Sequence, residues 1–550
     1  MPAYIKLVLL AAVLAAVCAP DARADKKTVC TITVNSPDEK EIFRQKLPRD
    51  DFQFVELIEP GRRDWLESAC RTDVRCDVLL ISGHFDGGTE FYSDRFDAKE
   101  YLGVDEMERA SCSGSCPGLF SQLKEVYLFG CNTLNAEAMR SASAEIGRSL
   151  VNSGHSIADA ARLARELNER YGESNRDRMR HVFKDVPVIY GFSSKAPLGR
   201  SAGPTLDRYL QSGSSEIGSG RASVKLLSAF APSSMTSTTG LTDYDPDAGF
   251  RRDVCHFADD RLSSGQKIAF VHEILGREMA EVRMLLDHVE KYSASLSDAA
   301  RREPAVQLAL DEIARDEVAR ERYLEFARDA DEPSVRARMI SLAGSLGWLS
   351  AEDQRAEFMR MIGDRMKAGS VGSADVDLVC ALNKDHGLDQ ELGRLEADAA
   401  QGSKVADAAL LACLGSPEAR GRVVRAMTSS DDEEVKIAQI YVHHRPLTDA
   451  ELRGLATEVA RMKGANAQVR ALDTLARYQV SDRESLEALT RLFPVAKSVN
   501  VQRAIAGVLV RSDNPTLAGP ELMRVLRERR LKSPEGRDVI DILIRRLETS

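Results

Sequence analysis

The chain has only two tryptophans among 550 residues, and past residue 24 it has no apolar stretch long enough to cross a bilayer. A spanning helix needs about 20 consecutive apolar residues, so no transmembrane segment is expected in the mature chain. Blocks of lysine and arginine are also missing, with charges well mixed around a net of −10. No nucleic-acid footprint is therefore expected. Cys112 and Cys116 form a C-x-x-x-C loop, but no second Cys/His pair with zinc-ligand spacing follows them. Neither a metal nor another cofactor is expected. What remains is the composition of a helix-rich protein with length for two to four domains.

The first 24 residues read as a signal peptide. Lys6 precedes the apolar run Leu7 to Val17, and Ala22-Arg23-Ala24 has the small-x-small pattern of a cleavage site. Export to the periplasm or the exterior is the expectation, with cleavage after Ala24. Cys18 is a poor lipidation site because Val17 precedes it. Ten cysteines less Cys18 leave nine. An exported protein favours disulfides, and an odd number leaves at least one thiol unpaired. Cys70 and Cys76 flank a short turn, a local Cys112–Cys116 bridge is expected, and Cys30 and Cys255 remain as a pair between the first strand and the end of its domain. Cys380 and Cys413, 33 residues apart in neighbouring helices, reach bonding distance only if those helices pack closely.

Between Cys30 and about Leu210 strand and helix patterns alternate. Val29 to Val34, Phe52 to Ile58, Val78 to Ser82, Val126 to Phe129 and Val186 to Phe192 read as strands. Helical spacing marks Glu39–Leu47, Arg62–Ala69, Asn135–Asn152 and Ile157–Tyr171. The alternation predicts a mostly parallel sheet with helices on both faces, an α/β sandwich over residues 25–211. Residues 212–263, rich in Ser, Gly, Thr and Asp, are expected to be a linker or surface loop. From 264 to 550 the strand signals fade and apolar residues recur at helical spacing. Val335-Arg336-Ala337, Val435-Lys436-Ile437, Val469-Arg470-Ala471 and Val501-Gln502-Arg503 each open an apolar helix, the last three 34 and 32 residues apart. A period of this size is that of an α-solenoid.

Two of the strands end in chemistry. Leu79-Leu80-Ile81-Ser82-Gly83 leads into His84, and Tyr127-Leu128-Phe129-Gly130 leads into Cys131, 47 residues later. Functional groups collect at the C-terminal edge of an open parallel sheet. A thiol needs a base to react near neutral pH, and histidine is the usual one. His84 and Cys131 are the expected catalytic pair of a cysteine-nucleophile hydrolase.

Ser82-Gly83-His84 and Gly130-Cys131-Asn132-Thr133, with Val188 to Phe192 and Ala202 to Leu206 beyond them, resemble the caspase-like cysteine peptidases, especially the CHAT type. The likeness covers residues 74 to 210, about a quarter of the chain. The helical units after 264 resemble HEAT repeats. The first resemblance implies an endopeptidase with a Cys131/His84 dyad acting on a protein or peptide. The family usually carries glycine directly after the histidine, where a main-chain N–H helps hold the oxyanion. Here Phe85 follows, then Asp86, Gly87 and Gly88. Phe85, Asp86, Gly87 and Gly130 are therefore the expected oxyanion or substrate-binding positions. Asp86 could orient His84, meet a basic substrate side chain, or simply form a turn. The helical repeats imply a surface for a protein partner. The alternative is a catalytically inactive caspase-like scaffold joined to a protein-binding solenoid.

Overall fold

Eight strands are laid down in chain order: β1 Lys27–Thr33, β2 Phe52–Ile58, β3 Val78–Ser82, β4 Glu90–Tyr92, β5 Tyr101–Gly103, β6 Glu125–Phe129, β7 Val188–Phe192 and β8 Met235–Thr238. The computed structural model describes residues 26–58, 66, 69–70, 72–85, 88–93, 100–112, 117–137, 143–152, 154–171, 174–246, 248–391, 404–512, 520–529 and 538–549. The expected signal peptide, Cys18, Cys116 and most of the Arg62–Ala69 helix lie outside the described residues. The chain divides into two compact units, Met1–Tyr323 and Leu324–Ser550.

In the first unit six strands form one sheet in the order β2-β1-β3-β6-β7-β8, with β4 and β5 making a separate two-stranded ribbon. The first five strands run parallel and β8 is antiparallel to β7. Side chains alternate across the sheet with the period of two that a strand imposes. Cys30, Ile32, Leu79, Ile81, Val126, Leu128 and Ile189 join one buried cluster, together with Met107, Met179 and Val182 from helices Val104–Cys112 and Asn175–Val182. Val29, Val78, Leu80, Tyr127, Phe129, Tyr190 and Phe192 join the other, with Phe43 of helix Asp38–Lys46 and Leu206 and Leu210 of helix Gly199–Gly213. Both faces are therefore covered, which explains why the central strands are near-continuous apolar runs.

Three expectations are corrected. Residues 212–263 are not simply a linker: β8 extends the sheet, and helix Ala248–Ala258 packs on helix Val104–Cys112. The β8 sequence, Met-Thr-Ser-Thr, is polar because it is a partly exposed edge strand. Asn135 does not begin a helix; residues 135–137 are irregular, and the helix is Ser143–Asn152. The expected Cys112–Cys116 and Cys30–Cys255 pairings are also replaced. Cys30 bonds Cys76, Cys112 bonds Cys255, and Cys380 bonds Cys413. Cys30 lies on β1 beside β3, and Cys76 sits just before β3, so strand pairing brings them together. Cys112 and Cys255 end up adjacent because their helices pack together. Cys70 is also in a disulfide, whereas Cys131 is a free thiol.

Helices Ser264–Leu275, Met279–Ser295 and Pro304–Arg315 belong to the first unit, not to the second. Ala280 of the second of these packs among Ile146, Leu150, Ala160 and Ala164. Past Thr238 the described residues contain no strand.

The second unit is helical around one continuous apolar cluster that runs from Ala337 to Ile544. Its helices meet at a regular remove. Asp432–His444 packs on Ala465–Arg477, which packs on Val499–Arg511, which packs on Val539–Thr549. A second row runs Asp449–Glu458, Arg483–Val495, Pro520–Arg529. Ion pairs join successive helices of the first row, Arg470 Nε to Asp432 at 3.1 Å, and a comparable pair joins Arg503 to Asp538 at 2.8 Å. Cys380 and Cys413 approach to a Cα–Cα distance of 4.7 Å. Ala408, Ala409 and Ala412 beside Cys413 are small enough to allow that close packing.

Candidate active site

β3 and β6 are sheet neighbours, with Ser82 opposite Phe129. His84 and Cys131 each lie two residues beyond that matched pair, so both emerge at the C-terminal edge of the sheet. Gly83 N–H still donates to the Phe129 carbonyl at 3.1 Å, which keeps the two chain exits side by side. His84 and Cys131 line one open cleft of about 350 Å³, mouth included, with Asn35, Ser36, Glu39, Ser82 and the segment Ala196–Gly199. Both side chains are half-buried. Among the described residues no cluster of three or more His, Cys, Asp or Glu has the arrangement of a metal site.

The glycines before each group have packing reasons. A Cβ on Gly130 would stand 2.8 Å from the Phe85 Cβ and 3.0 Å from the Gly83 carbonyl oxygen. A Cβ on Gly83 would meet the Val34 Cβ at 3.1 Å. The backbone after β6 then turns at Asn132, whose φ of 59° lies in the left-handed region that asparagine tolerates better than most residues. Thr133 is buried and ties the turn down: its hydroxyl donates to the Gly130 carbonyl at 3.2 Å and accepts from the Phe192 N–H at 3.0 Å. Asn132 N–H donates to the Ser194 carbonyl at 2.7 Å.

Helix Asn175–Val182 braces both halves of the pair. Asn175 Nδ2 donates to the Asn132 carbonyl at 2.9 Å, on the cysteine turn. Arg178, buried, donates to the Gly88 carbonyl at 2.5 Å, on the loop that follows His84. The Arg178 guanidinium also meets Asp105 at 3.2 Å, and Asp105 meets Lys291 at 2.7 Å. On the other side, His84 is held by a two-bond bridge to Tyr92 on β4, both bonds 2.9 Å, with the two rings 5.4 Å apart.

The expected site residues divide. His84, Cys131 and Gly130 share the cleft. Phe85 does not line it: its ring is fully buried and packs on Phe91 at 4.6 Å, so this residue anchors the histidine loop in the core. Any part it takes in oxyanion binding is confined to its main chain. Asp86 and Gly87 lie outside the described residues. The His84 N–H is committed to Tyr92, whereas among the described residues no main-chain carbonyl accepts from the Cys131 N–H.

Sequence reasoning passed over Glu39. It sits in the first turn of helix Asp38–Lys46, directly after β1, and is only 2% exposed. Its carboxylate accepts from the Ser82 hydroxyl at 2.8 Å. Burial pushes its pKa up, against the opposing hydrogen bonds from its own N–H and from Ser82, and Asp38 adds to the rise. Its only sequence signal was an acidic residue shortly after a strand that ends at the same sheet edge.

Comparison with family models, with curated proteins and with solved structures finds no match.

Proposed function

We propose that the protein is an exported, caspase-like cysteine endopeptidase whose helical unit is a HEAT-like solenoid that binds substrate or a protein partner. The observation that carries the chemistry is the free Cys131 thiol beside His84 in one cleft, while seven other cysteines are bonded. The disulfides fit an oxidising compartment. No described helix is long and apolar enough to cross a membrane.

In the proposed reaction the Cys131 sulfur attacks a peptide carbonyl and the S–C bond forms. The carbonyl oxygen gains charge and is met by the Cys131 N–H and a donor from the histidine loop. The C–N bond then breaks, and the amine leaves with a proton from His84. Water attacks the resulting thioester, gives its proton to His84, and releases the acid with the thiol restored. The regular stacking of helices in the second unit supports the solenoid reading, since stacked repeats offer an extended surface for a protein ligand.

The test is a mixed peptide library incubated with wild type, Cys131→Ala and His84→Ala under mild reduction, with products read by mass spectrometry. Cleavage by wild type alone is expected. Equal cleavage by Cys131→Ala refutes the assignment, and no cleavage by any form favours the scaffold.

A further inference from the structure

The cleft beside Cys131 holds one acid in an unusual state. Other buried acids in the chain are compensated. Glu357 meets Arg328 at 2.6 Å and Asp375 meets Arg365 at 2.9 Å. Glu125, without a cation, is held by the Tyr127 hydroxyl at 2.7 Å and by the N–H groups of Ser219 and Gly220 at 2.9 and 3.0 Å. Glu39 is as buried as these, yet its one partner from another residue is the Ser82 hydroxyl. Among the described residues no lysine, arginine or histidine forms an ion pair with it. A carboxylate taken out of water without a cation is costly, and a cation brought to it is bound strongly for the same reason.

Its surroundings say where that cation would come from. Glu39 lines the same cleft as His84 and Cys131, and it is the one Asp or Glu there. The remaining wall is polar but uncharged at Asn35, Ser36 and Ser82, and apolar at Phe129, Ala196, Pro197 and Leu198. Leu198 is 66% exposed at the rim. An apolar wall with a carboxylate on its floor suits a side chain that is a hydrocarbon stem ending in a positive charge.

We propose that Glu39 is a specificity residue, and that the cleft selects substrates presenting a lysine or arginine side chain next to the bond attacked by Cys131. This rests on the peptidase reading for its chemistry, but the cation subsite itself stands on the cleft alone. Glu39 is not placed in the reacting group; it binds the substrate side chain.

The experiment separates the two. Cys131 is modified with a neutral methanethiosulfonate and with its aminoethyl, cationic counterpart, and the rates are followed by mass spectrometry, with Cys131→Ala as the control for site. Wild type is expected to favour the cationic reagent, and Glu39→Gln to reduce that ratio roughly tenfold, the scale of one charge pair in a partly buried site. Gln keeps an acceptor for Ser82, and Glu39→Asp, which keeps the charge, should retain the preference if the fold is intact. Peptides with Lys or Arg at the cleaved residue should show the same tenfold loss. A retained reagent preference without any peptide cleavage supports the subsite and overturns the peptidase reading. Equal reagent ratios in wild type and Glu39→Gln overturn the subsite, whatever the peptides do.

Discussion

The two compact units solve the burial problem at different sequence ranges. In the first, parallel pairing sets β3 against β6, and two residues far apart in the chain leave the sheet side by side. In the second, each helix packs on one a single repeat further along, and no comparable convergence of reactive groups occurs among the described residues. A sheet with crossovers concentrates chemistry at one edge. A row of helices distributes its side chains along a surface. The same contrast holds for cysteine: in the helical unit both described thiols are spent on one bond, while the sheet unit keeps one free at its edge.

The contrast is broken most forcefully at the site's own support. Phe85→Ala empties a fully buried position under the histidine loop, next to Phe91 and the Gly130 backbone. The cost should be about 3–5 kcal/mol. Hydrogen exchange read by mass spectrometry should show faster exchange across residues 26–323 and little change across 404–512. Faster exchange in both would mean that the units do not unfold separately. Leu475→Ala makes the reciprocal test. Leu475 is fully buried on helix Ala465–Arg477, and its loss should cost about 2–5 kcal/mol. The lower part of that range is expected, because Ala-rich helix contacts can close on a cavity. Here peptide cleavage by the first unit should persist while exchange quickens in the second.

Much of this was legible in the residues. β2, β3 and helix Ile157–Tyr171 follow the sequence pattern to the residue, because each is bounded by a clear polar or glycine signal. His84 and Cys131 were legible because an apolar strand ending in a reactive side chain is a local pattern. What failed was non-local. Cys76 finds Cys30 through strand order, which spacing along the chain does not encode. β8 was hidden by its own polarity. Phe85 looked like a departure at the oxyanion loop, but its burial is set by Phe91, which belongs to a different strand. Glu39 was invisible for the same reason: its importance lies in sharing a cleft with residues that it meets only after folding.

Smaller effects sharpen the difference in how the units treat charge. The helical unit gives its acids partners from other helices, as in Asp432 with Arg470. Both members of that pair are about a third to a half exposed, at 35% and 46%. Solvent and salt therefore screen it, and Arg470→Ala should cost only about 0.2–1 kcal/mol. Urea titration at low and high salt checks this, and the cost should shrink as salt rises.

The last test turns on sign. The Glu39 carboxyl has its folded-state pKa raised, chiefly by burial and further by Asp38, against the opposing Ser82 hydroxyl and its own N–H. His84 and Cys131 are the other titratable groups in its cleft. A raised carboxyl pKa means that the folded chain holds this proton more tightly than the unfolded chain does. The resulting stability is present in full below the ordinary glutamate range and is lost as pH rises through the folded value. Glu39→Gln cannot ionise and still offers Ser82 an acceptor. Relative to wild type it should therefore gain thermal stability at pH 7, and that gain should fade as the pH drops toward 4. Paired melting curves across this range read the effect directly. A variant that is less stable than wild type at neutral pH, with the deficit vanishing in acid, would mean that the anion is already well compensated in the free cleft. The contrast between a sheet edge that leaves an acid unpaired and a helical row that pairs its acids would then be lost.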